Sequence, residues 1–399
     1  SARVIGSVGS NNFHETSVFM EKLFENGIGL TLSVQYQDSD LDDISDNYSG
    51  YWRTFDAERF TNADVDPDNR WDEGFSTVLT LDYENYSLLA LHRESSRNST
   101  EGGYSSILQF TDEAIWHDKS TIISAHANFD LSEWITSETT LTYNRYEVDK
   151  ETRYDFSATP GGTLLFLDDY KYAYGWSLGF EQKFNWEVTE DWSLLAGFNY
   201  TEYDIIPKAT ILGGADPGGD LVEQAGLFTY YTVMGDLSSI KTEQQAYNLD
   251  YDTKAVYLES NYDISETLTL VAGVRLEDDN RVDNVSTTPR FALIKSFFED
   301  KLTAKYIYTE AFVAPSPYYG YNVYFNGADL NIANTDLEAE EATSHEFNLT
   351  YTLPNFIASA SFFLNNQENL LAVDNNAPSL GTIYVGDTAT TPVNLQKTT

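Results

Sequence analysis

Apolar and aromatic residues alternate with small or polar residues through the segment 172–186. A period of two over this length predicts an extended strand with one apolar face and one polar face. Tyr172 and Trp186 lie at the two ends of the apolar face, with leucine and phenylalanine between them. Such rings favour the two headgroup levels of a bilayer, whose hydrocarbon is crossed by about 9–11 tilted residues. The segment therefore predicts a strand that crosses a membrane.

The same alternation recurs in four other segments, which are 192–200, 268–276, 347–353 and 356–364. In each of them the second face is mostly small and polar rather than a second hydrophobic layer. This arrangement favours a wall between lipid and a polar lumen. A large soluble β-sandwich or β-solenoid also has alternating strands, but long strands with aromatic ends argue against it.

Short and long connections separate the predicted strands. The short ones are 187–191, 263–266, 298–301 and 354–355, and the long ones are 38–72, 149–170, 206–244, 279–287, 314–343 and 366–380. Outer-membrane meanders have short turns on one side and long loops on the other. We therefore predict one all-β domain over residues 1–399, a transmembrane antiparallel up-and-down β-barrel with about 16–17 strands in this chain.

Composition agrees with this class. The chain has 28 Tyr and 23 Phe, which favour strands. It has no cysteine, and no apolar run is long enough for a transmembrane helix. The first residues, Ser1-Ala2-Arg3-Val4, do not have the pattern of a signal peptide.

The charge is strongly negative, with 63 acidic and 23 basic residues and a net charge of −40. This excludes nucleic acid as a partner, because like charges repel. Acidic residues are concentrated in the predicted loops. They either form solvated surface or bind divalent cations. Asp64, Asp66 and Asp68 have the spacing that begins a calcium loop, but Asn69 and Phe75 then occupy the positions of its glycine and bidentate glutamate.

No enzyme motif is present. The five histidines form no metal-spaced pair and no HExxH sequence, and there is no GxSxG, P-loop or dinucleotide fingerprint. We therefore predict that the chain is not an enzyme and binds no cofactor, apart from the calcium candidate in the loop.

An ordered series of short motifs runs through residues 251–353. It consists of the strand 268–275, the sequence Thr288-Pro289-Arg290, the segment 306–316 with Phe312 and Pro315, and a segment with Asn334, Asp336, Leu337 and Glu340. In this order the motifs resemble the barrel of TonB-dependent outer-membrane receptors. The chain departs from the family pattern at Val313, where arginine is usual, and at Thr335 and Ala339, where proline is usual.

The resemblance implies a barrel of 22 strands in the family, preceded by a plug domain. No part of this chain resembles the plug or its TonB box, and several C-terminal strands are expected to be missing. It implies residence in the bacterial outer membrane among lipid and lipopolysaccharide, and uptake of a scarce ligand with energy from the TonB complex, which acts through the plug. Ferric siderophore is the default ligand. A passive porin or substrate-specific channel, and a structural or adhesive surface barrel, are the alternatives.

Aromatic residues in the predicted loops are candidate ligand contacts, because rings give rigid contact area and stack on planar ligands. They are Tyr318, Tyr319, Tyr321, Tyr324 and Phe325 in one loop and Tyr230 and Tyr231 in another. Packing between loops is the alternative role. Alternation also predicts that Arg275 and Arg290 face the lumen, where they would meet plug carboxylates or an anionic ligand, or remain solvated.

Overall fold

The computed structural model describes residues 1–40, 71–98, 115–149, 152–158, 165–211, 231–232, 235–236, 249–321, 324–325, 330–331, 336–374 and 389–394. Strands account for most of this part of the chain. Among these residues, no helix has the length and apolar character needed to cross a membrane.

The strands up to residue 211 are β1 (Ala2–Val8), β2 (His14–Leu23), β3 (Gly29–Asp40), β4 (Trp71–Tyr83), β5 (Tyr86–Asn98), β6 (Ile115–Ser132), β7 (Ile135–Val148), β8 (Arg153–Ala158), β9 (Leu165–Thr189) and β10 (Trp192–Ile211). The later strands are β11 (Tyr231–Thr232), β12 (Gly235–Asp236), β13 (Leu249–Ser265), β14 (Leu268–Asp279), β15 (Ser286–Phe297), β16 (Leu302–Val313), β17 (Tyr324–Phe325), β18 (Leu330–Asn331), β19 (Glu340–Leu353), β20 (Phe356–Glu368), β21 (Leu371–Asp374) and β22 (Ala389–Asn394). One short helix, α1 (Pro317–Tyr321), follows β16.

A single large sheet contains 16 strands in the order β1-β2-β3-β4-β5-β6-β7-β9-β10-β13-β14-β15-β16-β19-β20, with β8 paired to β9. Every pairing in this sheet is antiparallel, so the chain runs up and down through neighbouring long strands. Two small sheets, β11-β12 and β17-β18-β22-β21, lie outside it. The predicted all-β up-and-down architecture is confirmed.

The four predicted short turns all occur, at 298–301 and 354–355 as predicted, but the turns predicted at 187–191 and 263–266 are only 190–191 and 266–267, because β9 continues to Thr189 and β13 to Ser265. The predicted long connection 149–170 is partly wrong, because β8 and the first residues of β9 lie within it. Strand β10 likewise continues to Ile211, past the predicted loop start at residue 206. These extensions were missed because they lack the alternation of apolar and polar residues, since 165–169 reads Leu-Phe-Leu-Asp-Asp and 207–209 reads Pro-Lys-Ala.

The register gives the sheet two chemically different faces. Val256, Leu258 and Tyr262 of β13 lie on the apolar face and are 54%, 49% and 43% exposed. Their intervening neighbours Tyr257 and Glu259 lie on the polar face. Among the described residues the buried apolar side chains are few, namely Val148, Leu249, Ala255, Leu337 and Ala339. The main hydrophobic surface of this sheet therefore faces outward, as lipid contact requires.

Tryptophan and tyrosine line the short-turn end of the apolar face. Trp134, Trp186 and Trp192 are 55%, 46% and 37% exposed. Trp192 packs edge-on against Tyr262 at 6.4 Å, and its Nε1 donates a hydrogen bond of 2.9 Å to Ser260 Oγ. Ring surface turned outward with a satisfied polar atom is typical of a membrane-interface girdle.

The ladder between β15 and β16 ends before the strands do. Pairing runs from Phe297–Leu302 to Arg290–Thr309, so the upper ends 286–289 and 310–313 do not pair with each other. Those ends remain paired with β14 and β19 on their other sides. Pro289 is the first residue beyond the last pair, and proline has no amide hydrogen with which to extend a ladder. We call this opening the β15–β16 gap.

Candidate functional site

Three cavities meet at the β15–β16 gap, and Thr288 and Glu310 line all of them. The gap cavity, of about 470 Å³, lies between the segment 281–288 and the segments 336–339 and 341–343. The mouth cavity, of about 450 Å³, is bounded by Tyr203 and Tyr251 and by residues 310–314. The wall cavity, of about 460 Å³, lies on the polar face beside Tyr257 and Arg290. The gap thus joins two spaces at the long-loop end of the sheet to a third on the polar face of the wall.

Two stacked tyrosines form one side of the mouth cavity. Tyr203 and Tyr251 face each other directly across β10 and β13, and their rings stack at 4.4 Å with an angle of 5°. The Cζ atom of Arg281 lies 4.0 Å from the centre of the Tyr251 ring. The cation therefore extends the stack, which is a favourable cation–π arrangement.

Arg281 is held by a buried carboxylate. Its Nε and Nη2 donate hydrogen bonds of 3.0 and 2.6 Å to the two oxygens of Asp279, and the two side chains are only 10% and 3% exposed. Burial has the largest single effect and lowers the pKa of the Arg281 guanidinium, but the hydrogen bond with Asp279 and the nearby acidic groups of Tyr251, Asp279 and Tyr321 together outweigh it, so the pKa of Arg281 lies above its ordinary value. The pair is a fixed bidentate contact of the kind for which arginine is suited.

The same arginine holds the segment that follows β16. Its Nη1 donates a hydrogen bond of 3.0 Å to the carbonyl oxygen of Pro315, which is buried. Residues 314–321, which we call the strap, then bring α1 into contact with β10. Burial raises the pKa of Tyr321 in α1, and the positive charge of Arg281 partly opposes this shift. Arg281 therefore ties the strap to the Tyr203–Tyr251 stack.

On the polar face, two long side chains cross a glycine to reach the second strand away. Tyr257 of β13 lies over Gly197 of β10, and its hydroxyl donates a hydrogen bond of 2.9 Å to Glu181 of β9. A Cβ at Gly197 would lie 2.5 Å from Tyr257 Cζ and 2.7 Å from the Gln182 carbonyl oxygen. No side chain other than hydrogen fits there without movement.

The second crossing has the same construction. Arg290 of β15 lies over Gly273 of β14 and forms an ion pair with Glu259 of β13. A Cβ at Gly273 would lie 3.3 Å from Arg290 Cγ and 3.2 Å from the Leu258 carbonyl oxygen. We call the contacts Tyr257–Glu181 and Arg290–Glu259 the glycine bridges.

The remaining cations of these cavities are also paired. Lys183 Nζ lies 3.0 Å from Glu181, and Arg275 Nε donates a hydrogen bond of 2.8 Å to Glu277. Each of the four cations that line the three cavities, Lys183, Arg275, Arg281 and Arg290, therefore has a carboxylate partner.

The family described as TonB dependent receptor-like, beta-barrel matches residues 35–399, which is most of the chain. This chain belongs to that family. No match was found among the curated proteins with which the sequence was compared.

Solved structures of TonB-dependent receptors share the fold of this receptor chain. A mutant of the ferric enterobactin receptor PfeA from Pseudomonas aeruginosa superimposes with a TM-score of 0.66 at 12% identity, over 99% of this chain and 57% of that one. The siderophore receptor PirA from Acinetobacter baumannii gives 0.60 at 15% identity, over 99% and 57%. The ferric-catecholate import receptor Fiu from K12 E. coli gives 0.62 at 13%, over 99% and 60%. This receptor chain thus spans less than two thirds of their length.

The receptor family explains the two faces of the sheet, since the polar face is the one that lines the lumen in such barrels. Arg275 and Arg290 lie on this polar face, as their registers with Tyr257 and Gly273 place them. Each is engaged by its own carboxylate, Glu277 or Glu259.

The predicted loop aromatics fall into two groups. Tyr318 and Tyr319 of α1 pack edge-on at 5.5 Å, Tyr319 is 39% exposed, and Tyr321 lies beside Arg281. Tyr324 and Phe325 form β17, and Tyr231 is the first residue of β11. Tyr230 lies outside the described residues.

The described residues of the receptor motifs lie at the long-loop end of the sheet, between the end of β16 and the start of β19. Pro315 is the acceptor for Arg281, and Leu337 is 5% exposed. Glu340 Oε1 accepts a hydrogen bond of 2.7 Å from the Leu371 amide. Phe312 pairs with Glu341 across β16 and β19 and lines the gap and mouth cavities, and Asp336 is exposed beside Leu337. Asn334 lies outside the described residues.

The calcium candidate stays a prediction, because Asp64, Asp66 and Asp68 lie outside the described residues. Within the described ranges no group of three or more histidine, aspartate or glutamate side chains is arranged to hold a metal ion.

Sequence reasoning missed Tyr203, Tyr251, Asp279 and Arg281. The available signal was the sequence Asp279-Asn280-Arg281, in which opposite charges lie at the end of a predicted strand, but the turn that brings them together cannot be read from it. The stack of Tyr203 on Tyr251 depends on the register of β10 with β13, which the sequence does not reveal.

Proposed function

We propose that this chain forms part of the wall of a bacterial outer-membrane receptor that takes up a ferric siderophore with energy from the TonB complex. The match of residues 35–399 to the receptor barrel family is the observation that carries the proposal. The similar structures are receptors for siderophores or ferric catecholates, which supports iron chelates as the ligand class.

In this proposal the strap and the mouth cavity contact the ligand first. Tyr318 and Tyr319 offer ring surface on α1, and Tyr203 and Tyr251 offer it below the strap. Aromatic rings contribute contact area at low cost in conformational entropy, so they suit a first encounter site. The chain's role is binding and passage rather than catalysis. Contact with TonB is expected through a plug domain, and the apolar face is expected to meet lipid and lipopolysaccharide.

The test is uptake of radioactive iron, supplied as defined ferric chelates, by cells that have this protein as their sole siderophore receptor. We expect uptake of at least one chelate, and we expect it to stop when TonB is removed or the proton gradient is dissipated. Uptake that continues without TonB would assign the protein to passive channels. A barrel that neither binds nor transports any chelate would be structural or adhesive.

A double substitution of Tyr318 and Tyr319 by alanine examines the strap within the same assay. We expect weaker binding of the transported chelate. Tyr86→Ala is the matched control, because Tyr86 is 52% exposed beside a short turn at the opposite end of the sheet. Unchanged binding in the double variant would remove these two rings from the ligand site.

A further inference from the structure

The excess of negative side chains lies in the gap cavity, which has one cation and five carboxylates, whereas the mouth cavity has two and three and the wall cavity has three of each. Four cations and nine carboxylates line the three cavities together. The chain as a whole carries a net charge of −40. A cleft with low-dielectric walls and one sign of charge focuses the field and concentrates ligands of the opposite sign.

The cations in these cavities are already committed to carboxylates. Arg281 and Asp279 are almost fully buried and joined by two hydrogen bonds, so releasing Arg281 for an anionic ligand would leave a buried carboxylate unpaired. Arg275 and Arg290 are each paired within the polar face, and Lys183 is paired with Glu181. A polyanion entering the gap cavity would meet the field of five carboxylates, and the one cation there, Arg281, is held by the buried Asp279.

We infer that the gap cavity, with the mouth cavity beside it, admits a neutral or positively charged ferric chelate and disfavours a polyanionic ferric triscatecholate. The ligand class rests on the proposed function, whereas the charge selection rests on the cavities alone. The hydroxyls of Thr253 and Thr288 and the carboxylates supply hydrogen-bond partners for amide, hydroxyl and ammonium donors on such a chelate.

The charge selection is measurable without any cargo. The 399 residues include no cysteine, so Thr288→Cys places a single thiol beside all three cavities. Its modification rate is measured with a trimethylammonium and with a sulfonate methanethiosulfonate, each normalised to its rate with a free thiol. We expect the cationic reagent to react about tenfold faster. Any shift of the thiol's own pKa acts on both rates and cancels in the ratio.

Matched variants locate the source of the selection. Glu277→Gln in the Thr288→Cys background removes the carboxylate partner of Arg275. We expect the ratio of the cationic to the anionic modification rate to fall severalfold. Glu299→Gln removes a carboxylate paired at the same two-residue spacing with Lys301, but at a short turn at the other end of the sheet, and should leave the ratio unchanged. Thr253→Cys repeats the measurement at a second position. Equal or faster reaction of the anionic reagent at both positions would overturn the inference.

Uptake of chelates that differ in charge tests whether this charge selection acts during transport. The cells described above receive a monocationic ferric trihydroxamate or a trianionic ferric triscatecholate at equal concentration. We expect the trihydroxamate to be taken up at least about tenfold more efficiently. Preference for the triscatecholate would contradict the inference and leave the proposed function intact. Failure of these two and of every other ferric chelate to enter would contradict the proposed function, while the thiol ratio would still decide the charge selection.

Discussion

Single residues on the polar face act across three strands rather than two. A side chain in an antiparallel sheet ordinarily meets the residue directly opposite it. At Gly197 the opposite position is empty of side chain, so the Tyr257 ring lies flat over it and reaches Glu181. The glycine is therefore needed for close approach, not for backbone freedom.

Gly197→Ala should destabilise the sheet by about 1–3 kcal/mol, because the added methyl group would overlap Tyr257 and the Gln182 carbonyl oxygen. Urea unfolding in detergent micelles measures the loss. Gly6→Ala in β1 is the control, since nothing lies within 4 Å of a Cβ there, and it should change the unfolding midpoint little. Equal effects of the two substitutions would show that the close packing at Gly197 does not matter.

The Arg281 contacts mark the limit of prediction at this scale. Position 313 is valine, whereas the receptor motif usually has arginine there. The sequence therefore predicts no cation at the end of β16. In the structure a cation does reach Pro315 there, but it comes from the β14–β15 connection. The hydrogen bond between Arg281 and Pro315 joins residues 34 positions apart, so no local sequence pattern predicts it.

Among the elements, the turn between β15 and β16 is the most strained connection. Phe298, Glu299 and Asp300 have φ values of 56°, 53° and 65°, so three successive residues with side chains adopt the left-handed region. This conformation costs residues other than glycine roughly 1–2 kcal/mol each. The Lys301 amide donates a hydrogen bond of 3.3 Å to the Phe298 carbonyl oxygen, which closes the turn.

Asp300→Gly should stabilise the protein by about 1 kcal/mol, since glycine adopts a φ of 65° without the Cβ penalty. The measurement is the midpoint of urea unfolding in micelles. Asp300→Val should lower that midpoint, because a β-branched residue fits the left-handed region poorly. If valine were tolerated as well as glycine, the turn would have to relax to another conformation.

Elements were predictable from sequence where lipid imposes a pattern and unpredictable beyond it. The alternation in 268–276 and the turn at 298–301 matched β14 and the β15–β16 connection. The upper part of β9 was missed because its sequence has three successive apolar residues, Leu165 to Leu167, followed by two aspartates, so no alternation indicates a strand. The three cavities were missed for another reason: they arise where pairing stops beside Pro289, and the sequence shows the proline but not the neighbouring strand.

Across the whole molecule, charge is the dominant feature. A net charge of −40 over 399 residues sets negative groups against one another in the folded state, so screening should stabilise it. Raising NaCl from about 10 to about 150 mM shortens the Debye length from about 30 to about 8 Å. We expect the urea midpoint to rise over this range, and a midpoint independent of salt would show that the charges lie too far apart to interact.

The same titration separates screening from a specific cation site. CaCl₂ at the same ionic strength should match NaCl if only screening acts. A larger effect of calcium that disappears in the variant with Asp64, Asp66 and Asp68 changed to asparagine would assign it to that loop. An excess that persists in this variant would place the calcium effect elsewhere.

The Tyr257–Glu181 bridge also constrains how the wall assembles. It joins β13 to β9, which are not neighbours, so it forms only after β10 lies between them in its native register. A slip of β13 by one residue would turn Tyr257 toward the lipid and leave Glu181 without its phenol partner. The Tyr257–Glu181 hydrogen bond therefore forms only when β9, β10 and β13 are all present in their native register. It is absent from every assembly intermediate that lacks one of these three strands.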